Sequence, residues 1–210
     1  MRITVFGANG ATGLEIVKQA VAAGHDVVGA VRRPDTLAEL KGVEVRKIDL
    51  ADQSSLEAAI KGSDVVISAL GHGGLKASSK FTTLYSDSTK AFRMAMTATG
   101  AKRLIVLSSG GVVEDGAAPC FYTKLLRRYL INTYVDMARM ETILEESKAL
   151  EWTSVRLTYL QSGPSKPFLV EEGELGKGKF QINVIDAARF VVGELTERKW
   201  INGHPVLGYA

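Results

Sequence analysis

Short apolar runs alternate along the first half of the chain with stretches in which apolar positions recur at the spacing of a helix. The runs predict strands at 3–6, 26–31, 43–48, 64–71 and 103–107. The run at 64–71 is almost continuously apolar, which is typical of a parallel strand covered on both faces. Strands and helices that alternate in this way, with right-handed crossovers, form a doubly wound parallel sheet with helices on both faces. The pattern therefore predicts an α/β fold.

The second half of the chain is less regular. A helix is predicted at 81–99, where Gly100 ends it, and a sixth strand at about 150–156. The remaining predicted elements are a loop at 161–167, a charged turn at 171–179, a strand at 180–184, a helix capped by Asp186, and an edge strand at Val206 and Leu207. At 210 residues the chain fits a single domain, 1–210, with a small substrate-side extension formed by 114–135 and 160–180.

Three glycines follow the first predicted strand, in the segment GANGATG at residues 7–13. Gly7 can adopt the backbone angles of a tight turn, Gly10 leaves a pyrophosphate free to approach the backbone, and Gly13 lets the next helix lie close to the strand. The free N–H groups and the dipole at the start of that helix favour negative charge. This segment therefore predicts a dinucleotide site. The expected contact residues are Gly7, Asn9, Gly10, Ala11, Thr12 and Gly13.

The second predicted strand ends in two arginines. An NAD enzyme usually places an acid here to bind the ribose 2′-hydroxyl, whereas this chain has Arg32 and Arg33. A guanidinium can hold a 2′-phosphate through charge-assisted hydrogen bonds, and a carboxylate would repel it. The sequence therefore predicts NADPH/NADP as the cofactor rather than NADH.

Three further strand ends are expected at the same edge of the sheet, where such folds bind their ligands. The residues at these ends are Asp49 and Leu50, Leu70 and Gly71, and Ser108 and Ser109. Two roles are open for Asp49, as an acceptor for the adenine amino group or as an acid that closes a turn. His72, in the glycine-rich loop after the fourth strand, is either a proton donor or phosphate contact, or an ordinary loop residue.

Composition and charge narrow the function classes. Twenty-six basic and 23 acidic residues give a formal charge of +3, too small to indicate binding to nucleic acid or to an anionic membrane. The single cysteine, Cys120, cannot form an internal disulfide, which is typical of a reducing compartment. With neither a hydrophobic leader nor a spanning apolar run, a cytoplasmic protein is expected. The scattered histidines predict no metal site.

The chain resembles the atypical short-chain dehydrogenase/reductase superfamily, and more closely its NAD(P)H-binding group that includes biliverdin-IXβ and flavin reductases and NmrA-like proteins. The segments that carry the resemblance are 7–13, 31–33, 49–50, 69–71, 107–109, 141–156 and 186–188. It implies a Rossmann fold and hydride transfer from NADPH to a flat conjugated acceptor: a flavin, a tetrapyrrole or a quinone. It also implies that Ser109 is the catalytic serine and that Tyr159 lies against the nicotinamide.

The chain departs from the superfamily at the acid/base pair. Typical members pair a tyrosine with a lysine four residues later, so that the cation helps the phenol to pass a proton. None of the six tyrosines here has a lysine at that spacing. By alignment the tyrosine slot holds Met137 and the lysine slot holds Glu141, and a thioether cannot donate a proton. Met137 is then either an apolar floor at the cofactor or a core residue.

Basic residues form a stripe beyond the aromatic segment at 119–122. Lys124, Arg127 and Arg128 have the spacing of one helix face. They either face solvent or bind the phosphate or propionate of an acidic acceptor.

Two functions remain open from the sequence. The leading hypothesis is an NADPH-dependent reductase, monomeric or homodimeric, that acts on a small-molecule acceptor taking its proton from water. The alternative is a non-enzymatic NADP(H)-binding redox sensor of the NmrA-like type, which would not need the missing pair.

Overall fold

A computed structural model describes residues 1–37, 39–73, 78–113, 127–176 and 179–209. Its strands are β1 Arg2–Phe6, β2 Asp26–Val31, β3 Val43–Lys47, β4 Val65–Ser68, β5 Arg103–Ser109, β6 Glu151–Leu157, β7 Tyr159–Gln161, β8 Leu169–Glu172, β9 Gln181–Asn183 and β10 Pro205–Gly208. Its helices are α1 Ala11–Ala22, α2 Gln53–Ile60, α3 Leu84–Thr99, α4 Ile131–Glu146 and α5 Val184–Glu197. Short 3-10 helices cover Pro34–Leu37 and Gly110–Val112, and one helical turn covers Arg127–Tyr129.

Eight strands form one sheet in the order β3-β2-β1-β4-β5-β6-β10-β8. All neighbouring strands in it are parallel except β10 and β8. The chain builds the sheet from β1 through β2 to β3 and then returns to the other side of β1 with β4. The order of strands therefore reverses between β1 and β4, where such a fold opens a crevice at the carboxyl ends. This arrangement confirms the predicted doubly wound sheet.

Helices cover both faces of the sheet. Successive residues of a strand point to opposite faces, and in β1 the fully buried Val5 and Phe6 belong to two separate hydrophobic clusters. One cluster includes α1 and α5, and the other includes α2, α3 and α4. Because both faces are covered, the polar site is confined to the strand ends.

The structure corrects three sequence predictions near the carboxyl terminus. β10, expected at the edge of the sheet, lies between β6 and β8. The strand at this edge is β8, whose last two residues, Glu171 and Glu172, fall in the segment expected to be a charged turn. Asp186 does not cap α5, since the N-cap is Asn183. Its buried carboxylate instead accepts hydrogen bonds from the Ser165 hydroxyl at 2.6 Å and the Tyr209 hydroxyl at 2.5 Å. It thereby ties the loop before β8 to the end of the chain.

Candidate active site

A cavity of about 610 Å³ lies at the carboxyl ends of the parallel strands. All the predicted site residues line it except Gly13 and Asp49. The predicted residues in its wall are Gly7, Asn9, Gly10, Ala11, Thr12, Arg32, Arg33, Leu50, Leu70, Gly71, Ser108, Ser109, Met137 and Tyr159. The sheet topology thus brings together residues that are up to 152 positions apart, from Gly7 to Tyr159.

The turn after β1 is shaped for an anion. Gly7 has a φ of +75°, and a Cβ there would lie 2.6 Å from the Ala69 carbonyl oxygen. A Cβ on Gly13 would lie 2.2 Å from the Gly7 carbonyl oxygen, so α1 packs against the turn only because Gly13 has no side chain. Gly10 is the N-cap of α1, which has no side-chain cap and no acidic residue in its first turn. The first N–H groups of α1 and the positive end of its helix dipole are therefore suited to binding a pyrophosphate.

The two arginines after β2 lie at the mouth of the same cavity. Arg32 and Arg33 are exposed and line it. The Arg33 carbonyl oxygen accepts hydrogen bonds from the Thr36 N–H at 3.3 Å and the Thr36 hydroxyl at 2.6 Å. These bonds fix the turn that leads into the Pro34–Leu37 helix. Two cations near an anion-binding turn favour a ligand with more than one phosphate group.

Asp49 occupies a turn before α2 rather than the cavity wall. Its carboxylate accepts a hydrogen bond from the Ala51 N–H at 3.0 Å, and its own N–H donates to the Ser55 hydroxyl oxygen at 3.1 Å. These contacts are those of the turn-closing acid, the second of the two predicted roles. Its neighbour Leu50 lines the cavity instead.

The end of β5 supplies two hydroxyls to the cavity wall. Ser108 is 4% exposed, and its hydroxyl oxygen is buried with no hydrogen-bond partner among the residues that the structure describes. Ser109 Oγ accepts the Gly111 N–H at 3.2 Å, which leaves the Ser109 proton able to donate. A buried hydroxyl without a partner costs free energy. Ser108 therefore fits a bound polar ligand, such as a nicotinamide amide, that would satisfy it.

Aromatic side chains also line the cavity. Tyr159 is 47% exposed and stacks on Phe180, with ring centres 5.8 Å apart and planes 10° apart. Tyr85 on α3 and Tyr134 on α4 are both buried and line the cavity. Sequence reasoning missed these two phenols because it tested tyrosines only for a lysine four residues later. Their positions on the inner faces of two predicted helices were the available signal.

His72 belongs to the site and is neutral near pH 7. Its ring meets Tyr85 edge to face at 5.3 Å. Burial lowers the pKa of His72, an effect that the Asp136 charge opposes, and burial raises the pKa of Tyr85 to about 12. The buried His72 Nε2 atom has no hydrogen-bond partner within the described parts of the chain. Two neutral rings here suit an uncharged, flat ligand.

A buried carboxylate fixes the helix that carries Tyr85. Asp136 on α4 is fully buried and accepts the Tyr85 N–H at 2.8 Å and the Ser86 hydroxyl at 2.5 Å. Both donors lie in the first turn of α3, where N–H groups lack intrahelical partners. The contact fixes α3 against α4 and holds the two tyrosines on one side of the cavity.

Glu141, in the lysine slot, belongs to a buried ionic cluster. Its carboxylate accepts hydrogen bonds from Arg156 at 2.8 and 3.1 Å and from the Ser154 hydroxyl at 2.9 Å. His204 Nδ1 lies 3.6 Å away. Burial alone would raise the pKa of Glu141, but His204 and Arg156 outweigh it and hold the pKa at about 2. Glu141 therefore stabilises the packing of α4 on β6 as a carboxylate.

Substituting Glu141 is expected to reduce the acid sensitivity of folding. The folded pKa of about 2 lies below the unfolded value of about 4.5, so this group's contribution is complete above about pH 5 and is lost as the pH falls towards 2. Between pH 7 and pH 3 the loss is about 2 kcal/mol. In Glu141→Gln, urea unfolding should show a free energy of unfolding that changes less over this interval by about that amount.

The matched control for this measurement is Glu146→Gln, which changes an exposed carboxylate on the same helix. It should retain the wild-type dependence of stability on pH. An equal pH dependence in Glu141→Gln and in the wild type would show that the buried cluster contributes nothing to acid unfolding.

The basic stripe is only partly described. Lys124 and the aromatic segment at 119–122 lie outside the described residues. Arg128 is exposed on the turn Arg127–Tyr129, and neither Arg127 nor Arg128 lines the cavity. Within the described ranges, no cluster of three or more metal-ligating side chains occurs, and no helix has both the length and the apolar character to cross a membrane.

The fold and the cavity are those of a dinucleotide-binding α/β protein. Comparison with known sequences identifies the family to which it belongs. The profile of a family described as NAD(P)H-binding matches residues 7–198, and the chain belongs to this family. This result confirms the expected placement in an NAD(P)H-binding family. An uncharacterised protein of Mycobacterium tuberculosis is 32% identical over 123 residues, which cover 57% of this chain but 14% of that protein. The chain thus spans a small part of the length of such relatives.

Solved structures show the same fold over the full chain. A short-chain dehydrogenase/reductase of Veillonella parvula, in complex with NADP, is 18% identical and superposes with a TM-score of 0.80 over 99% of this chain and 94% of its own. A candidate NADH-flavin reductase of Streptococcus pneumoniae is 21% identical, with a TM-score of 0.79 over 100% of each chain. At these identities the similarity establishes the shared fold.

Proposed function

We propose that the protein is an NADPH-dependent reductase that transfers hydride to a flat conjugated acceptor such as a flavin, a tetrapyrrole or a quinone. The observation that carries the proposal is one continuous cavity. It joins the turn at residues 7–13, here called the phosphate turn, and the two arginines to a compartment lined by Ser108, Tyr85 and Tyr134. A dinucleotide and a second flat molecule can meet there, as hydride transfer requires.

The residues of the first compartment fit the cofactor. Gly10 and the start of α1 would hold the pyrophosphate, and Arg32 and Arg33 the 2′-phosphate. Ser108 would hydrogen-bond the nicotinamide amide, since its buried hydroxyl needs a partner in this region. When bound, NADPH supplies the hydride. The NADP complex of the Veillonella parvula protein, which shares the fold, supports this assignment.

The second compartment fits an aromatic acceptor. Met137, 8% exposed, provides an apolar wall, and the Tyr159 ring at the rim offers a face on which a flat molecule can stack. Ser109 donates a hydrogen bond to the acceptor. The likeness to the Streptococcus pneumoniae protein supports flavin as one acceptor to test.

The proposal predicts turnover of NADPH with at least one acceptor of this class. NADPH oxidation would be followed by absorbance with FMN, biliverdin and menadione in turn. In Ser109→Ala, kcat should fall about 10-fold because a hydrogen bond to the reacting acceptor is lost. Ser165→Ala removes an exposed serine outside the cavity and tests for nonspecific effects.

Tight NADPH binding with no turnover of any acceptor would instead support the redox-sensor alternative. The observations that favour that alternative are Met137 in the tyrosine slot and the buried ion pair of Glu141. Neither residue can supply a proton to a substrate in the arrangement described.

A further inference from the structure

Tyr134 lies one helical turn before the residue that replaces the expected catalytic tyrosine. On α4 it precedes Met137 by three positions, so the two side chains share a helix face. Both line the cavity, and Tyr134 is 6% exposed. A phenol is therefore present in this wall of the site, shifted by one turn from the position that sequence spacing identifies.

The hydroxyl end of the Tyr134 ring lies next to the turn formed by Ser109 and Gly111. A Cβ added to Gly111 would meet Tyr134 Cζ, the carbon that bears the hydroxyl, at 2.4 Å. The same Gly111 donates its N–H to Ser109 Oγ at 3.2 Å. Gly111 thus brings the phenol close to the predicted catalytic serine, and any larger residue would displace the ring.

We propose that Tyr134 is the proton donor of the site and that the acceptor is a quinone. This inference rests on the proposed reductase function. Reduction of a quinone by hydride leaves negative charge on a carbonyl oxygen, and the product is itself a phenolate. A tyrosine and a hydroquinone are both phenols, so the proton passes between oxygens of similar basicity and the transfer costs little free energy.

Bound NADPH would supply the hydride, which forms an O–H bond with its two electrons on one carbonyl oxygen of the quinone and leaves negative charge on the other. The Tyr134 O–H bond breaks, and a new O–H bond forms on that charged oxygen. The Tyr134 phenolate then takes a proton from water. The sum consumes one quinone, one NADPH and one proton, and yields one hydroquinone and one NADP. Ser109 donates a second hydrogen bond to the same oxygen and keeps its own hydroxyl proton.

The test compares Tyr134→Phe with the wild type on menadione. Loss of a general acid is expected to lower kcat about 100-fold. NADPH affinity should change less than about 3-fold, because Tyr134 is assigned to the acceptor and not to the cofactor. A readout independent of turnover is menadione binding by the cofactor-free protein, which should weaken about 5-fold because one hydrogen bond is lost. Tyr129→Phe is the matched control, since Tyr129 is exposed and outside the cavity.

Gly111→Ala provides a second test, in which Tyr134 itself is unchanged. The added methyl group collides with the Tyr134 ring, so kcat should fall at least about 10-fold with menadione while the circular dichroism spectrum is retained.

Wild-type rates and menadione affinity in Tyr134→Phe would overturn the role of Tyr134 and leave the reductase function intact. If NADPH-bound wild type reduces FMN or biliverdin but not menadione, the quinone assignment is wrong. If it reduces none of them, the reductase function fails as well.

Discussion

Replacing Arg32 and Arg33 together by alanine is expected to weaken NADPH binding at least about 150-fold. Both side chains line the cavity beside the phosphate turn. A hydrogen bond to a charged group contributes about 1.5–3 kcal/mol, so loss of two such contacts costs at least about 3 kcal/mol. NADH lacks the 2′-phosphate, and its affinity should change less than about 3-fold. Calorimetric titration of wild type and variant with each nucleotide measures both quantities.

The single variants and a control complete this experiment. Arg32→Ala and Arg33→Ala should each lose part of the NADPH affinity, and together they should account for the double variant unless the two guanidiniums share one phosphate oxygen. Arg93 lies on α3 and outside the cavity, so Arg93→Ala removes the same charge and is expected to leave the affinity for either nucleotide unchanged. Equal losses for NADPH and NADH would show that the arginines do not recognise the 2′-phosphate.

Gly13→Ala is expected to destabilise the fold by about 3 kcal/mol or more. Its methyl group would lie 2.2 Å from the Gly7 carbonyl oxygen, a backbone atom held in place by the turn. Overpacking of this severity forces α1 away from β1. For a chain of this size, such a loss lowers Tm by roughly 10 °C. Thermal unfolding of the cofactor-free protein measures it directly.

Gly10→Ala is the matched comparison at the same turn. Gly10 has a φ of −73°, which any residue adopts, and its Cβ would lie 3.3 Å from the Gly7 carbonyl oxygen, so a methyl group requires a shift of only a few tenths of an ångström. Tm should change by less than about 3 °C. NADPH affinity should nevertheless fall about 10-fold, because the methyl group keeps the pyrophosphate from the backbone. Unchanged NADPH affinity in Gly10→Ala would contradict a phosphate site at this turn.

Much of the cofactor half of the site could be predicted from the sequence, because its chemistry is local. The turn from Gly7 to Gly13 and the pair Arg32 and Arg33 each lie within a few residues, and alternating strands and helices fix which edge of the sheet they share. In the structure the predicted contact residues of these two segments line one cavity, except Gly13, which packs against the turn. Asp49 shows the limit of such reasoning, since a single acid after a strand fits both an adenine contact and a turn.

The acceptor half depended on contacts between residues far apart in the chain. Tyr85 and Tyr134 come from different helices, and only packing of α3 on α4, fixed by Asp136, places them in one wall. The position of β10 inside the sheet could not be predicted either, because β8 and β10 are short and their pairing is set by partners rather than by pattern.

The sequence by itself determined the α/β fold, the phosphate turn and the positive charge beside it, because hydrophobic periodicity and glycine geometry act over a few residues. Only the tertiary structure decided that Glu141 pairs with Arg156 in a buried cluster and that Tyr134 lies against Gly111 near Ser109. The physical reason is that a side chain's protonation and its reach depend on burial and on neighbours that chain folding brings from distant positions.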